Sequence, residues 1–355
     1  MPTFYNFREN GLDYSFDDIF VPADLFREGN LFTWGYAGDG RLGNAVITGN
    51  RSTPVTTFAG GTNWKQVSAG GFHIAAIKTD GTLWTWGFGY QGRLGNAVTT
   101  GSISTPVTTF AGGTNWKQVS TGRDYTAAIK TDGTLWTWGY AGSGSLGNAT
   151  ITNTSTPVTT FAGGTNWKQV GSTYRHTSAI KTDGTLWTWG SNRGLFGISG
   201  YGQLGTNDTI NRSTPVTTFA GGTNWKQVSA GLFHTAAIKT DGTLWTWGSN
   251  ILIAFGITAV GALGTNDTIT RSTPVTTFAG GTNWKQVNAG FIQTSAIKTD
   301  GTLWTWGRGD SGQLGNASTT NRSTPVTTFA GGTNWKQVSS GGYHTAALTY
   351  IDPVI

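Results

Sequence analysis

The stretch KTDGTLWTWG at Lys78–Gly87 occurs five times without a change, starting at Lys78, Lys130, Lys181, Lys239 and Lys298. A shortened copy, LFTWG, stands at Leu31–Gly35. Counted between the second tryptophans of successive copies, the steps are 52, 52, 51, 58 and 59 residues. Periods near 50 residues are typical of solenoids and propellers, so the content of one repeat decides the architecture.

Each repeat contains four short runs rich in β-branched and aromatic residues, which we name strands A to D. In the repeat that starts at Trp225 they read KQVSAG, TAAIKT, TLWTWG and TPVTTF, separated by Gly, Asn and Asp. The Asp-Gly pair between strands B and C predicts a type I′ turn, which needs positive φ at both central residues. No segment has the spacing of a long amphipathic helix. The sequence therefore predicts an all-β fold, a β-propeller of six four-stranded blades.

The two ends of the chain carry complementary parts of a repeat. The last copy stops at HTAALTYIDPVI, without its Asp-Gly turn and Trp strand, and the first copy begins with that strand, NLFTWG at Asn30–Gly35. We expect a ring closed by pairing of the N- and C-terminal strands, Leu31–Trp34 with His344–Tyr350, because closure removes exposed sheet edges. Residues 31–355 would form the propeller, and residues 1–30 a separate acidic, aromatic segment that docks the propeller or plugs it.

The order of residues within a repeat resembles that of the regulator-of-chromosome-condensation family. One copy of the family pattern is carried by Gly231, His234, Ala237, Ile238, Asp241, Gly242, Trp247, Gly248, Gly261, Leu263 and Gly264. That family has β-propellers, usually of seven blades, and its chromatin-bound members promote guanine-nucleotide exchange on a small GTPase. The repeated segment TDGTLWTWG and the N-terminal segment FYNFRENGLDYSFDD also resemble repeat proteins of marine bacteriophages, particularly cyanophages. That likeness implies a virion location.

Composition excludes several classes of protein. The chain has no cysteine, so disulfides and thiolate metal ligands are excluded. It has no run of 18 apolar residues, so no membrane span is expected. Its first residues lack the basic and apolar regions of a secretory signal. Residues 1–30 hold six acidic and two basic residues, whereas residues 31–355 hold 21 basic residues and 11 aspartates. An acidic head thus precedes a basic body.

The repeated polar residues do not suggest an active site. The histidines occupy one repeat position on different blades, too far apart to share a metal ion: His73, His176, His234 and His344. The repeated aspartates are needed for turns, and residues 31–355 contain no glutamate to form a catalytic carboxylate pair. We expect no enzyme activity, no cofactor and no metal. Trp64, Trp84, Trp86 and their copies either pack the blades or offer sugar-stacking platforms.

Comparison of the copies separates two faces of the ring. Antiparallel strands put the A–B and C–D connections on one face, the top, and the B–C and D–A connections on the other, the bottom. The top connections differ from copy to copy, whereas TDGT and AGGTNW at the bottom stay constant. Variable loops on a constant scaffold are typical of recognition. The predicted partner-binding residues are Phe72, Arg123, Asp124, Tyr174, Arg175, Leu195, Phe196, Tyr201, Phe233, Ile251, Leu252, Phe255, Phe291, Ile292 and Tyr343.

The sequence thus favours a non-enzymatic binding or structural propeller, placed on a phage virion by the second resemblance. Its variable face would contact a protein, a cell-surface glycan or another virion component, and residues 1–30 would dock it to other virion proteins. Two alternatives stay open: a lectin with six equivalent pockets between blades, and a small-GTPase regulator of the exchange type. All eleven lysines fall near the bottom face, where they either meet an anionic surface or keep the protein soluble. Specific nucleic-acid binding has little support, because stacking aromatics are not interleaved with these lysines.

Overall fold

The computed structural model describes residues 29–194, 200–251 and 260–350, together with the backbone of residues 8–9 and 12–13. Five antiparallel four-stranded sheets follow one another along the chain, each in the order A, B, C, D. We number these blades 1 to 5. Their strands are β5–β8 (Trp64–Ala69, His73–Lys78, Leu83–Phe88, Ser102–Thr108), β9–β12 (Trp116–Thr121, Tyr125–Lys130, Leu135–Gly139, Thr154–Thr159), β13–β16 (Trp167–Ser172, His176–Lys181, Leu186–Gly190, Arg212–Thr217), β17–β20 (Trp225–Ala230, His234–Lys239, Leu244–Gly248, Arg271–Thr276) and β21–β24 (Trp284–Ala289, Gln293–Lys298, Leu303–Gly307, Arg322–Thr327).

Two half-blades flank the five blades. The N-terminal half-blade is β3–β4 (Phe32–Gly35, Arg51–Thr56), strands C and D of a repeat. The C-terminal half-blade is β25–β26 (Trp335–Ser340, Thr345–Thr349), strands A and B. A further pair, β1–β2 (Arg8–Glu9, Leu12–Asp13), lies in the head. These sheets confirm a propeller built from four-stranded antiparallel blades.

Ring closure, however, is absent from the described part of the chain. No strand pairing joins the two half-blades, so the predicted pairing of Leu31–Trp34 with His344–Tyr350 is not made, and the count of six blades is not confirmed. Trp34 is 62% exposed, whereas its five copies are fully buried. Each half-blade is instead held by the blade beside it: Trp86 Nε1 donates to Arg41 O (3.0 Å), and Thr345 Oγ1 donates to Gln313 O (2.8 Å).

Tryptophans fill the space between neighbouring blades. In blade 3 the ring of Trp167 meets Trp187 and Trp189 edge-on, with centroids 6.2 and 6.1 Å away. Lys181 places its Nζ 4.7 Å from both Trp167 and Trp187. Aromatic pairs of this geometry contribute about 0.5–1.5 kcal/mol beyond their buried area. The same arrangement in every complete blade shows that these tryptophans pack the fold.

The turn between strands B and C differs from the predicted type. In blade 1, Gly81 has φ +79°, but Asp80 is not among the residues with positive φ. Lys78 O accepts from Gly81 N (2.9 Å), and Lys78 N donates to Thr82 O (3.0 Å), which is a type I turn followed by a left-handed glycine. The Asp80 carboxylate accepts bonds from the Thr82 amide and hydroxyl (2.9 and 2.7 Å). Aspartate therefore closes the turn through its side chain.

Hydrogen bonds repeat at each interface near the propeller axis. The side-chain Nε2 of Gln118 donates to Val170 O in the next blade (3.0 Å), and its Oε1 accepts from Val170 N (3.1 Å). Further out, His73 Nε2 lies 2.7 Å from Thr126 Oγ1. Burial, aided by the charge of Arg93, lowers the pKa of His73 to about 3, so this histidine is a neutral hydrogen-bonding residue. In the described ranges, no helix is long and apolar enough to cross a bilayer.

Candidate functional site

The A–B connections surround one opening of the propeller. Strand A of blades 1 to 5 and of the C-terminal half-blade lines a central cavity of about 650 Å³. The connections after these strands add Phe72, Arg123, Tyr174, Leu232 and Phe291 to its wall. We call this opening the top mouth. Four of these five residues were predicted from the sequence to bind a partner, and the structure brings them to one rim.

Arginines and aromatic rings alternate along half of the top mouth. The Arg41 guanidinium lies 4.7 Å from the Phe72 ring centroid, and Arg123 lies 5.4 Å from Phe72 and 4.7 Å from Tyr174. Arg175 continues the row, 5.3 Å from Tyr174. Such contacts hold each cation by attraction to the face of the ring. We call this row, with the buried Arg93 beneath it, the arginine ladder.

Arg93 and Asp124 anchor the ladder from below. Arg93 is 2% exposed, and its Nη1 lies 3.0 Å from Asp124 Oδ1. Burial lowers the pKa of Arg93, while the charge of Asp124 opposes that effect. Arg123 Nε lies 3.6 Å from the second oxygen of the same carboxylate, and Arg123 Nη1 donates to the Tyr174 hydroxyl. Asp124 is itself buried, so it positions the ladder and does not offer a free surface group.

The other half of the mouth rests on an apolar cluster. Tyr201, Phe233 and Ile292 were predicted as contact residues, but each is buried, together with Leu232 and Val260. The Tyr201 and Phe233 rings lie 5.1 Å apart. Tyr174 and Phe291 are only partly buried and pack on this cluster from the mouth. The three buried residues therefore support the contact surface from inside.

The remaining predicted residues are placed unevenly. Tyr343 is 58% exposed, stacks on Phe291 at 6.4 Å and lies 4.8 Å from the Arg308 guanidinium. Ile251 is half-buried at the start of the longest C–D connection. Leu195, Phe196, Leu252 and Phe255 lie outside the described residues.

Buried asparagines fix the bases of the two long connections. Asn192 Oδ1 accepts from Leu204 N, and Asn250 Oδ1 accepts from Leu263 N, both at 2.9 Å. Each side-chain nitrogen in turn donates to the backbone oxygen of an aspartate, Asp208 or Asp267, also at 2.9 Å. Each long connection is therefore fixed at both of its ends by hydrogen bonds, and the two connections belong to neighbouring blades 3 and 4.

Sequence reasoning missed three arginines of the top face: Arg41, Arg93 and Arg308. A usable signal existed, because Arg41 and Arg93 occupy a repeat position filled elsewhere by Ser145, Gln203, Ala262 and Gln313. Arg308 pairs with Asp310 at 2.7 Å. The hydrogen bond to Asp310 raises the pKa of Arg308, and the same bond lowers the pKa of Asp310.

The histidines and aspartates that could suggest catalysis or metal binding have structural partners instead. His73, His176 and His234 are buried, and the repeated aspartates bond their own turns. Within the described ranges, no group of three or more His, Asp or Glu side chains could hold a metal ion. In the five complete blades the tryptophans are buried or partly buried, so the lectin alternative has no exposed tryptophan there for sugar stacking.

Comparison with known proteins places the chain in a family. The model for an RCC1-like domain matches residues 30–352. The ultraviolet-B receptor UVR8 of Arabidopsis thaliana is 32% identical over 302 residues, which cover 83% of this chain and 64% of UVR8. The X-linked retinitis pigmentosa GTPase regulator homolog of Caenorhabditis elegans is 27% identical over 290 residues, which cover 71% of this chain and 20% of that protein.

A solved structure agrees on the fold. Yeast RCC1 (Prp20), crystallised with Kap60 bound, superposes with a TM-score of 0.74 at 18% identity, over 91% of this chain and 77% of the yeast chain. The family resemblance read from the repeats is thus confirmed. The likeness to marine bacteriophage proteins finds no support in these comparisons. The chain spans only 64% of UVR8 and a fifth of the GTPase regulator homolog, so the activities of those whole proteins do not transfer with the fold.

Proposed function

We propose that this chain, which belongs to the RCC1-like domain family, is a protein-binding propeller that holds its partner at the top mouth. The arginine ladder is the observation that carries this proposal. It sets four guanidinium groups beside partly exposed aromatic rings on the one face where the copies diverge. Arginine and large aromatic side chains are the types that tend to dominate contact energies in protein interfaces.

The ladder is not required to build a blade. Blades 3 and 4 have Gln203 and Ala262 where Arg41 and Arg93 stand, and they form the same four strands. Two carboxylates, Asp39 and Asp124, face the four arginines, so this half of the mouth keeps a surplus of positive charge. A partner with acidic and apolar side chains would match both halves of the mouth, since complementary charge steers and orients association.

Affinity capture with matched variants tests the proposal. The bait would be the wild-type chain, a top-mouth variant with Arg123→Ala and Tyr174→Ala, and a bottom-face variant with Lys168→Ala and Lys226→Ala. We expect the partner to be lost by the top-mouth variant, retained by the bottom-face variant, and cross-linked to residues around the top mouth. Loss with the bottom-face variant alone would reverse the assignment of the working face.

Regulation of a small GTPase is the second candidate. It is favoured by the relative that is named a GTPase regulator homolog, and the top mouth would then receive the GTPase. Release of a fluorescent guanine nucleotide from a panel of small GTPases tests this candidate directly. Acceleration that disappears with Arg123→Ala and Tyr174→Ala would support it, whereas binding without acceleration would leave the protein a binding module with no catalytic role.

A virion location is the finer form of the binding proposal. In it, the partner at the top mouth is a host surface or another virion component, and residues 1–30 dock the chain to virion proteins. Its support is the resemblance of the repeats and of the first residues to sequences of phage proteins. Genes for phage structural proteins beside the coding sequence would favour this form, whereas neighbouring genes for cellular proteins would remove its basis.

We also propose that the ring closes into six blades in solution. The support for closure is an unfilled space beside Gly315 and an exposed tryptophan, Trp34, in the N-terminal half-blade. A Cβ on Gly147 would lie 2.7 Å from Trp189 Nε1, but the equivalent Gly315 has no neighbour nearer than 3.9 Å. Trp34 is the copy of Trp189 that would fill this space, and closure would bring the loops of Tyr343 and Phe72 together on the top mouth.

The two glycines give a matched test of closure. Both have φ near +60°, so the backbone strain of an added methyl group is equal at the two positions. Gly147→Ala should cost a further 1–3 kcal/mol or so, because the methyl group overpacks the tryptophan. In a closed ring Gly315→Ala should lower the free energy of unfolding by the same amount. A much smaller loss at Gly315 would contradict closure.

A further inference from the structure

The eleven lysines fall into two structural classes. Five stack between two tryptophans of their own blade, with Nζ 4.4–4.8 Å from the rings: Lys78, Lys130, Lys181, Lys239 and Lys298. The other six follow the first tryptophan of strand A and are exposed: Lys65, Lys117, Lys168, Lys226, Lys285 and Lys336. Packing between tryptophans explains the first class; in the second class, Lys285 and Lys336 each place Nζ 5.6 Å from the Tyr350 ring.

Five of the exposed lysines surround the lower opening of the propeller. Lys117, Lys168, Lys226, Lys285 and Lys336, with Tyr350 and the neighbouring glutamines, line a cavity of about 700 Å³. We call it the bottom mouth. Four of the five glutamines, all except Gln337, are already used in bonds to the next blade, and no carboxylate is among the lining residues. A ring of like charges around a concave opening focuses a positive potential there.

The acidic head enters the propeller at this same face. Trp64 N donates to Gly29 O (3.3 Å), the bond that Trp116 N makes to Gly81 O of a B–C turn (3.0 Å) in the complete blades. Gly29 therefore occupies a bottom-face position, one residue away from Lys65 along strand A. Residues 1–28 hold six carboxylates against two arginines, a net charge of −4.

We propose that residues 1–28 of this chain bind across the bottom mouth as its acidic occupant. The segment can reach up to roughly 90 Å when extended, so its length does not limit it, and tethering at Gly29 raises its local concentration at the mouth. The head would then neutralise the lysine ring and leave the top mouth as the open face of the propeller. This inference is independent of what the top mouth binds.

Lysine acetylation of the full chain, read by mass spectrometry, tests the proposal residue by residue. The sequences after the six exposed lysines differ, for example QVSAGGF after Lys65 and QVGSTYR after Lys168, so each lysine can be followed separately. The five stacked lysines serve as internal controls for folding. The comparison is wild type against a neutralised head carrying Glu9→Gln, Asp13→Asn, Asp17→Asn, Asp18→Asn, Asp24→Asn and Glu28→Gln.

At low ionic strength we expect the mouth lysines to react roughly two- to fivefold more slowly in the wild type, the range that exposed ion pairs support. In about 1 M salt the difference should vanish, because the screening length falls to about 3 Å. As a matched control, Arg8→Gln with Arg27→Gln makes the head more acidic and should deepen the protection.

Two results would overturn the proposal. The first is equal acetylation rates of the mouth lysines in the wild type and the neutralised head. The second is protection by added polyphosphate at the same concentration in both proteins, which would show that the mouth is already free in the wild type. A change in the stacked lysines as well would point to altered folding; the neutralised head is then replaced by Asp17→Asn with Asp18→Asn alone, to which the same criteria apply.

Discussion

The buried histidines predict a loss of stability in mild acid. Burial, aided in two cases by a neighbouring charge, lowers the pKa of His73 and His176 to about 3, and burial lowers that of His234 to about 4. Their usual pKa, near 6.5, applies in the unfolded chain. Below pH 6.5 the unfolded state therefore binds more protons than the native state, so stability falls as the pH falls.

The magnitude follows from the proton difference. Between pH 7.5 and 5.0 each unfolded histidine becomes protonated while its buried counterpart stays neutral, which removes about 2 kcal/mol per histidine, or about 6 kcal/mol for the three. A domain has about 5–15 kcal/mol in total, so the effect is large. The turn aspartates have lowered pKa values, through hydrogen bonds first, and lose their contribution only at a pH below this window.

Denaturant unfolding at pH 7.5 and 5.0 measures the loss, with His73→Gln, His176→Gln and His234→Gln combined as the matched variant. Glutamine is already accepted at this repeat position, where Gln293 Nε2 donates to Gly341 O (3.0 Å). The wild type should lose several kcal/mol between the two pH values, and the variant much less. Parallel pH dependence in the two proteins would refute the reasoning.

Three further changes test single contacts. Arg93→Met should cost about 3 kcal/mol, because it removes the closer partner of the buried Asp124 carboxylate and leaves only Arg123 at 3.6 Å, and adding Asp124→Asn should recover part of that loss in thermal unfolding. Gln169→Ala should cost about 1–3 kcal/mol through two lost bonds to Val228. In the closed ring that we propose, Gln337→Ala should cost a similar amount, whereas a nearly neutral change would indicate an open ring. Asp183→Ala should cost about 1 kcal/mol by releasing Thr185; no change in the melting temperature would contradict a role in the turn.

The blade could be predicted because its signals are local and repeated. Strand alternation, the turn residues and the period each point to the same four-stranded unit, and six near-identical copies average out accidents of a single copy. The division into faces followed from strand direction alone. It placed Phe72, Arg123, Tyr174 and Phe291 at one rim, where the structure has them.

The features that the sequence did not predict depend on contacts between different repeats. The pairing of Arg93 with Asp124 joins blades 1 and 2, and nothing in either copy alone indicates it. The burial of Phe233 and Ile292 depends on residues such as Tyr201 and Val260 from other connections. Invariance was also a weak guide to packing, because Phe58 and its five copies never vary, yet all are exposed.

The seam between the two ends differs chemically from the internal interfaces. At three interfaces a histidine bonds the threonine hydroxyl of the next blade: His73 to Thr126, His176 to Thr235 and His234 to Thr294. On closure His344 would meet Ile74, the one copy in which threonine is replaced, and isoleucine can neither accept that bond nor donate to Arg41 O as Thr126 does to Arg93 O. A closed ring would therefore be weakest where its termini meet. That weakness agrees with a structure in which every internal interface is made and this one is open.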